Sequence, residues 1–274
     1  MDTIIRTTPD RLIPLVPHAT VRAPVVVAYG VGVDSTGMLV GMQQRGERPD
    51  LILFADTGDE KAVTYAYLPI INAWLRKVGF PEVTVVKNPR PISGDKSLSD
   101  SCLRLGTLPA LAYGQHQCSL VWKRDPQHAY IKTWAPAIEA RAAGLNVITC
   151  IGYDAGPRDS CRQYKAEGKE SPGFTNRFPL IEWGWDREEC KRQIAAAGLS
   201  VPVKSACFHC PASKKEEIVW LHRNQPELYE KALAMEDGAK PYHQRRADQT
   251  GKAPTAGLGR KFSWATVTAS DEDS

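Results

Sequence analysis

Apolar positions along this chain fall into short β-branched runs separated by longer stretches in which they return every three or four residues. Residues 24–29 (PVVVAY) form such a run, and residues 51–55, 82–87 and 146–151 are three more, each predicted to be a strand. Residues 35–44, 61–77 and 127–143 carry the helical pattern, with Pro69 expected to kink or split the second of them. Strands alternating with helices predict an α/β fold, a doubly wound parallel sheet with helices on both faces. Residues 178–181 are a candidate fifth strand, and residues 186–197 read as a helix started by Asp186. Beyond Ser200 the pattern becomes helical and irregular, with two short helices split near Gln225 and Pro226. The expected organisation is an α/β domain over residues 1–199 and a small helical appendage over residues 200–274. No internal repeat breaks this plan.

A chain of 274 residues, 42% hydrophobic and 24% charged, can bury a full core, which argues against disorder. It contains no run of eighteen apolar residues, and residues 1–8 lack the apolar centre of a signal peptide, so no membrane contact and a cytoplasmic location are expected. Lys and Arg total 35 against 31 for Asp and Glu, a mild excess whose distribution says more than its size. Lys240, Arg245, Arg246, Lys252, Arg260 and Lys261 are opposed only by Asp248 in a stretch rich in Gly, Pro and Thr. It reads as a flexible basic arm, either a solvated loop or, if set beside an active site, a binder of phosphate and so of DNA or RNA. The acidic end, residues 271–274, is expected to be disordered.

The first candidate for chemistry is Gly30-Val31-Gly32-Val33-Asp34-Ser35-Thr36, which follows the first strand and opens a helix. There, backbone N–H groups and a helix N-terminus can hold a phosphate, glycine lets the backbone approach, and Ser35 and Thr36 add hydroxyls. No Gly-Lys-Ser/Thr follows, so it is not a Walker loop, and it is not the dinucleotide GxGxxG. An ordinary strand-to-helix turn capped by Asp34 would share part of this pattern.

AYGVGVDST resembles the SGGxDS loop of the ATP pyrophosphatase, or PP-loop, superfamily of adenine-nucleotide α-hydrolases, in its branch of PAPS reductase-like, DNA phosphorothioation and thiolase-like enzymes. Gly32, Asp34 and Ser35 match that loop, whereas Gly30 replaces its Ser and Val31 its first Gly. FADTGDE (residues 54–60) is similar to the branch's DTG-x-E segment, CSLVWKRDP (118–126) to its Cys followed by Lys-x-x-Pro, and FPLIEW (178–183) to the segment before its last domain. IGYDAGPRDS (151–160) resembles its Gly-x-x-x-(x)-E-x-x-R segment, with Gly152 and Arg158 matching and the acidic position displaced to Asp154. Five matches in order span about 200 residues. The resemblance implies a HUP-type sheet binding ATP through Gly30, Val31, Gly32, Asp34, Ser35, Thr36, Asp56, Thr57, Gly58, Lys123, Gly152 and Arg158. Asp34, Lys123 and Arg158 would be the catalytic groups, with Mg²⁺ held mainly by phosphate oxygens and by Asp34 or Asp56.

Seven cysteines are present, and Cys207-Phe-His-Cys210-Pro places two thiols within reach of one metal centre. By the resemblance, Cys118 joins them to hold a [4Fe–4S] cluster with one iron open for a non-protein ligand such as sulfide. Zinc bound by the same three thiols, with His209 or His116 as fourth ligand, is the alternative that spacing leaves open. Cys102 and Cys190 are possible fourth ligands, but a lone cysteine in a helical stretch reads rather as a core residue, as does Cys150.

Three functions share this fold. The first is an ATP-dependent sulfurtransferase: an acceptor oxygen on a nucleic acid or nucleotide is adenylated, pyrophosphate leaves, and sulfur drawn from a cysteine desulfurase or another donor displaces AMP. The second, a PAPS or APS reductase-like enzyme, needs a cysteine near the C-terminus and a Cys-Cys pair, whereas this chain has none after Cys210 and reads Gln117-Cys118. The third is a nucleotide-binding component of a modification or defence complex without catalysis, against which stands the retained set of Asp34, Ser35, Lys123, Arg158 and three cysteines.

Overall fold

The computed structural model describes residues 21–88, 94–166, 168 and 170–272. Residues 1–8 and the last two residues of the acidic end lie outside them.

Five short strands form one sheet: β1 (Val25–Ala28), β2 (Leu51–Asp56), β3 (Val83–Lys87), β4 (Val147–Ile151) and β5 (Phe174–Arg177). Their order is β3-β2-β1-β4-β5, and every pairing is parallel. The central strands are almost wholly buried because both faces are covered, as their unbroken apolar runs require. On one face lie α1 (Val33–Gln44) and α2 (Ala62–Lys77), and α2 runs through Pro69 as one helix. The short α3 (Leu98–Leu105) and α4 (Gln117–Ser119), the latter continued by a wide turn over Leu120–Arg124, lead to the opposite face. There α5 (Asp125–Thr133) and α6 (Ala135–Ala142) replace the single helix expected over residues 127–143. Trp134 is extended between them, because Pro136 in the first turn of α6 has no N–H for the Lys132 carbonyl and its ring would clash with it, so one helix cannot run through.

The fifth strand is Phe174–Arg177 and not residues 178–181. Pro179 fits the first turn of a helix, and α8 (Pro179–Glu182) begins there after α7 (Pro157–Ala166) and β5. Helix α9 (Arg187–Ala196) has Asp186 as its cap, whose carboxylate accepts from the Glu189 N–H at 2.7 Å. Helix α9 packs on α1 at a point where neither helix has a spare atom: a Cβ on Gly37 would lie 2.7 Å from Cys190 Cβ and 2.8 Å from its Sγ.

The C-terminal part contains α10 (Lys215–Asn224), α11 (Pro226–Thr250) and α12 (Trp264–Glu272). The split at Gln225 is as expected, but α11 is 25 residues long and carries Lys240, Arg245 and Arg246 within it. This stretch is therefore no flexible arm. Tyr229, Ala232, Met235, Glu236, Ala239 and His243 fall on one buried face, and the Glu236 carboxylate accepts from the N–H groups of Leu258 (2.7 Å) and Trp264 (3.0 Å), tying down the loop that follows. Helix α12 likewise extends to Glu272 in the acidic end. The apolar cluster around α10–α12 also takes in Leu98, Cys102, Leu108 and Ala112, so the segment from α3 onward packs with the C-terminal helices. No helix of the described residues is long and apolar enough to cross a membrane.

In an exposed helix Gly→Ala gains about 1 kcal/mol. At Gly37 the added methyl must push α1 from α9, so Gly37→Ala is expected to lose about 1–3 kcal/mol in urea unfolding; a gain would show that the two helices are not in this contact.

Candidate active site

Helix α1 begins directly after β1, and the loop between them is shaped by residues that allow close approach. Gly152, at the end of β4, has no side chain because a Cβ would lie 3.0 Å from both Cα and N of Ser35. Gly32 is similarly pressed by Ser205, whose Oγ would be 3.0 Å from a Cβ. Ser35 Oγ accepts from the N–H groups of Gly30 (3.2 Å) and Gly32 (3.4 Å), folding the loop around its own hydroxyl. Val31 adopts φ +56°, a left-handed conformation that β-branched residues rarely enter. Its side chain is buried in the core below the loop.

A cavity of about 670 Å³ opens over the C-terminal ends of β2, β1, β4 and β5. This is where strand order reverses beside β1, the usual place for a ligand in an open parallel sheet. Of the residues expected there, Gly30, Gly32, Asp34, Ser35, Lys123 and Gly152 line it. Val31 and Thr36 face inward instead, with Thr36 Oγ1 sharing a 3.1 Å hydrogen bond with the Tyr29 hydroxyl. Arg158 is exposed in the first turn of α7 and off the cavity wall; Arg162, one turn later, lines it, with its guanidinium 4.2 Å from the Tyr153 ring centre and bonded to Asp159. An Arg four residues on was open to the same reading on the same helix face.

Strand β2 reaches the cavity through Phe54 and Ala55, whereas Asp56, Thr57 and Gly58, expected among the nucleotide-binding residues, are off its wall. Asp56 accepts from the Gly58 N–H (2.8 Å) and the Tyr65 hydroxyl (2.7 Å), and Lys87 Nζ lies 3.3 Å away. Gly58 has φ +76°, and a Cβ there would lie 2.8 Å from the Lys96 carbonyl.

The continuation of this turn holds the cysteine motif. Glu60 and Cys207 form an antiparallel bridge, the Phe208 N–H donates to the Asp59 carbonyl at 2.9 Å, and Thr57 Oγ1 lies 3.2 Å from Cys207 Sγ. The Asp59 carboxylate accepts from His209 Nε2 (3.0 Å) and from the N–H and hydroxyl of Ser99 (both 2.6 Å), all buried. Despite burial, these donors hold Asp59 below the ordinary carboxylate range. No local pattern signals this carboxylate–histidine pair beyond the acidic Asp59 in DTGDE.

Lys123 stands between cavity and cysteines. Its ammonium is 3.2 Å from Glu60 Oε1, and Cys207 Sγ is 3.9 Å from the same oxygen. Burial works against the charge of Lys123, but Glu60 and the neighbouring thiols outweigh it and hold the ammonium above its usual range. Burial, with Glu60 adding, pushes the Cys207 thiol up; burial does the same to Cys210, and Lys123 opposes both. Cys118 is half-buried on α4, one turn before Lys123.

Beside the loop, carboxylate oxygens of Asp34, Asp154 and Asp159 lie within 4.8 Å of one another. Burial, with Asp154 and Asp159 adding and Arg187 at 3.0 Å opposing, pushes Asp34 up to about 6. Hard oxygen donors of this kind suit Mg²⁺, whereas Asp56 is committed to Tyr65, Gly58 and Lys87.

No protein-family profile matches the chain. No curated protein matches it either. Among solved structures the chain is similar to the U34-tRNA thiolase NcsA from Methanococcus maripaludis with its [4Fe-4S] cluster, at 12% identity over 91% of this chain and 81% of that chain, with a TM-score of 0.39.

The donor set suits a soft metal centre: all seven cysteines are free, and the CxxC turn closes through the Cys210 N–H donating to the Cys207 carbonyl at 3.0 Å. The sulfurs of Cys118, Cys207 and Cys210 are not all within 4.8 Å of one another, whereas one tetrahedral zinc with bonds of about 2.3 Å draws its thiolates closer than that. Ligands of a cluster bind separate irons and need not converge on one point. His209, expected with His116 as a candidate fourth zinc ligand, gives Nε2 to Asp59 and keeps a buried Nδ1 without a partner, the arrangement of a histidine free to ligate, whereas His116 is exposed beside α4.

Two outcomes follow for this site. Val31→Ala keeps the left-handed strain while losing burial, and Val31→Gly loses one buried methyl more but relieves the strain, so the Gly variant should be more stable than the Ala variant by up to about 1 kcal/mol in urea unfolding; the opposite order would contradict the loop conformation. Because folded Asp34 holds its proton up to about pH 6 against an ordinary 3.8, the folded state binds more protons in that window and loses stability as pH rises through it. Asp34→Asn should therefore gain on the wild type between pH 4 and 6 in metal-free buffer, and equal pH profiles would refute the burial of this carboxyl.

Proposed function

We propose that the chain is an ATP pyrophosphatase that adenylates an acceptor oxygen on a nucleic acid or nucleotide and supports its replacement by sulfur. The observation that carries this reading is the position of Lys123, which lines the same cavity as Gly30, Gly32 and Ser35 and also borders Cys207 and Cys210 through Glu60. A phosphate site and a set of soft thiols thereby share one wall.

In this mechanism the loop N–H groups and the α1 N-terminus grip the β- and γ-phosphates, and Ser35 yields the N–H groups of Gly30 and Gly32 to them. Lys123, with two fifths of its side chain exposed, neutralises the pyrophosphate as it leaves, and Arg162 serves on the α7 side with Arg158 one turn behind. The carboxylates of Asp34, Asp154 and Asp159 supply oxygen ligands for Mg²⁺. The acceptor oxygen bonds to the α-phosphorus as the bond to the bridging oxygen breaks and pyrophosphate leaves; hydrosulfide, released by a thiol reductant from a persulfide donor such as a cysteine desulfurase, then bonds to the acceptor atom that carried the oxygen, and AMP departs with that oxygen. Cys118, Cys207 and Cys210 would hold a [4Fe–4S] cluster, which when bound offers an open iron for sulfide. The exposed Arg245, Lys252, Arg260 and Lys261 suit a polyanionic acceptor, DNA or RNA.

The test is anaerobic purification with iron, sulfide and optical analysis, followed by ATP turnover with candidate nucleic acids. AMP and pyrophosphate are the expected products, and ADP with phosphate would refute the reading. Lys123→Ala and Ser35→Ala should each weaken ATP binding; a charge-assisted contact is worth about 1.5–3 kcal/mol, so tenfold or more is expected for Lys123. Alanine at Cys118, Cys207 or Cys210 should remove the brown absorbance and Cys190→Ala should not. Stoichiometric zinc without sulfide would replace the iron–sulfur centre by a structural metal.

A further inference from the structure

The cavity extends well past the phosphate loop, toward β4 and β5, and there its lining changes character. Thr149 on β4 and Asn176 on β5 are register partners, one and two strands across from β1, and both line the cavity. Thr149 is 7% exposed, and its Oγ1 is buried with no hydrogen-bond partner. Among the described residues the side-chain amides of Asn176 and Gln127, also on the wall, make no hydrogen bond to protein. A buried hydroxyl is seldom left unpaired in a native fold, and the half-buried amides of Asn176 and Gln127 line the same cavity with donors and acceptors free for a ligand.

The wall next to these groups is aromatic. His128 on α5 and Phe174 on β5 stack with ring centres 4.0 Å apart and planes 11° from parallel, and Ile131 continues the apolar surface. Burial, with Arg124 adding, pushes His128 down to about 4, so its ring is neutral at pH 7 and behaves as an uncharged flat surface. The compartment thus offers a planar apolar face and, at its edge, one hydroxyl and two amides that each carry donor and acceptor in one plane. A flat heterocycle with hydrogen-bonding groups around its rim has the complementary chemistry: its face suits the aromatic wall and its edge suits the amides.

We propose that Thr149, Asn176 and Gln127, set against the His128–Phe174 stack, form a nucleobase-reading compartment. The assignment rests on the reading of the adjoining loop as a phosphate site, since that loop sets which end of the ligand carries phosphate. The base belongs either to the bound ATP or to the acceptor, and both present the same edge chemistry.

The experiment is isothermal titration of the full chain with a non-hydrolysable α,β-methylene ATP analogue, with inorganic pyrophosphate, and with the four common nucleosides added to analogue-saturated protein. Thr149→Val, which keeps shape and removes only the hydroxyl, and Asn176→Ala are the variants. At least a fivefold loss for the analogue, with pyrophosphate unchanged, assigns the compartment to the base of ATP. The same loss for a nucleoside, with the analogue unchanged, assigns it to the acceptor. Ligand-free Thr149→Val should melt no lower than wild type, because the hydroxyl has no partner to lose. Unchanged affinities for every ligand in both variants overturn the compartment, as does a Thr149→Val protein that melts several degrees lower and loses pyrophosphate as well. A wild-type protein that binds neither analogue nor pyrophosphate defeats the ATP reading instead, and the compartment then stands or falls on nucleoside binding alone.

Discussion

One buried carboxylate determines where the chemistry of this protein can sit. Asp59 takes hydrogen bonds from the N–H and hydroxyl of Ser99 and from His209, two residues that come from the start of α3 and from the cysteine turn. A charged carboxylate is tolerable in so dry a place only when its oxygens are satisfied, so the three segments must meet in this arrangement or not at all. With the Asp59 carbonyl holding Phe208 and Glu60 bridging Cys207, the turn after β2 becomes the seat of the cysteine motif. The thiols are thereby placed against the same strand ends that form the cavity.

The loop between β1 and α1 follows a second constraint, the close approach of β4 to the head of α1. Gly152 and Gly32 leave no room for side chains, and the loop turns tightly enough that Val31 is driven into a left-handed conformation. Burial of the Val31 side chain offsets that cost from below, where the core of α1 and α2 receives it. At Gly30, by contrast, the nearest atom to a Cβ would be Ser35 Oγ at 3.9 Å, so the missing hydroxyl at this position reflects no lack of space. Ser35 supplies the only hydroxyl that touches the loop N–H groups among the described residues.

Lys123 links these two constraints. Its pairing with Glu60, whose other oxygen is buried without a partner, leaves the ammonium balanced between a carboxylate beside the thiols and the open cavity. A cation in that position can answer to a ligand's charge without moving to a new part of the fold.

Much of this was legible in the sequence because it depends on local pattern. The β-branched runs, the helix cap at Asp186, the break at Gln225 and the glycine loop after β1 each express a preference of a few consecutive residues, and four of the five strands could be placed from them. Where the reading failed, a local signal was outweighed by distant partners: the basic stretch looks like a polar arm, yet its helix is held by Glu236 and by a buried face whose partners lie in α10, α12 and the segment from α3. Pro179 was read as strand because FPLI is apolar, although proline at a first turn serves a helix equally well. The sequence by itself determined the parallel α/β plan, the loop at Gly30–Thr36 and the presence of soft ligands at Cys207 and Cys210. Only the tertiary structure decided that Arg162 and not Arg158 lines the cavity, that Asp59 and His209 pair, that Lys123 lies between cavity and thiols, and that Thr149 is left without a partner, because each depends on distances between segments that lie far apart along the chain.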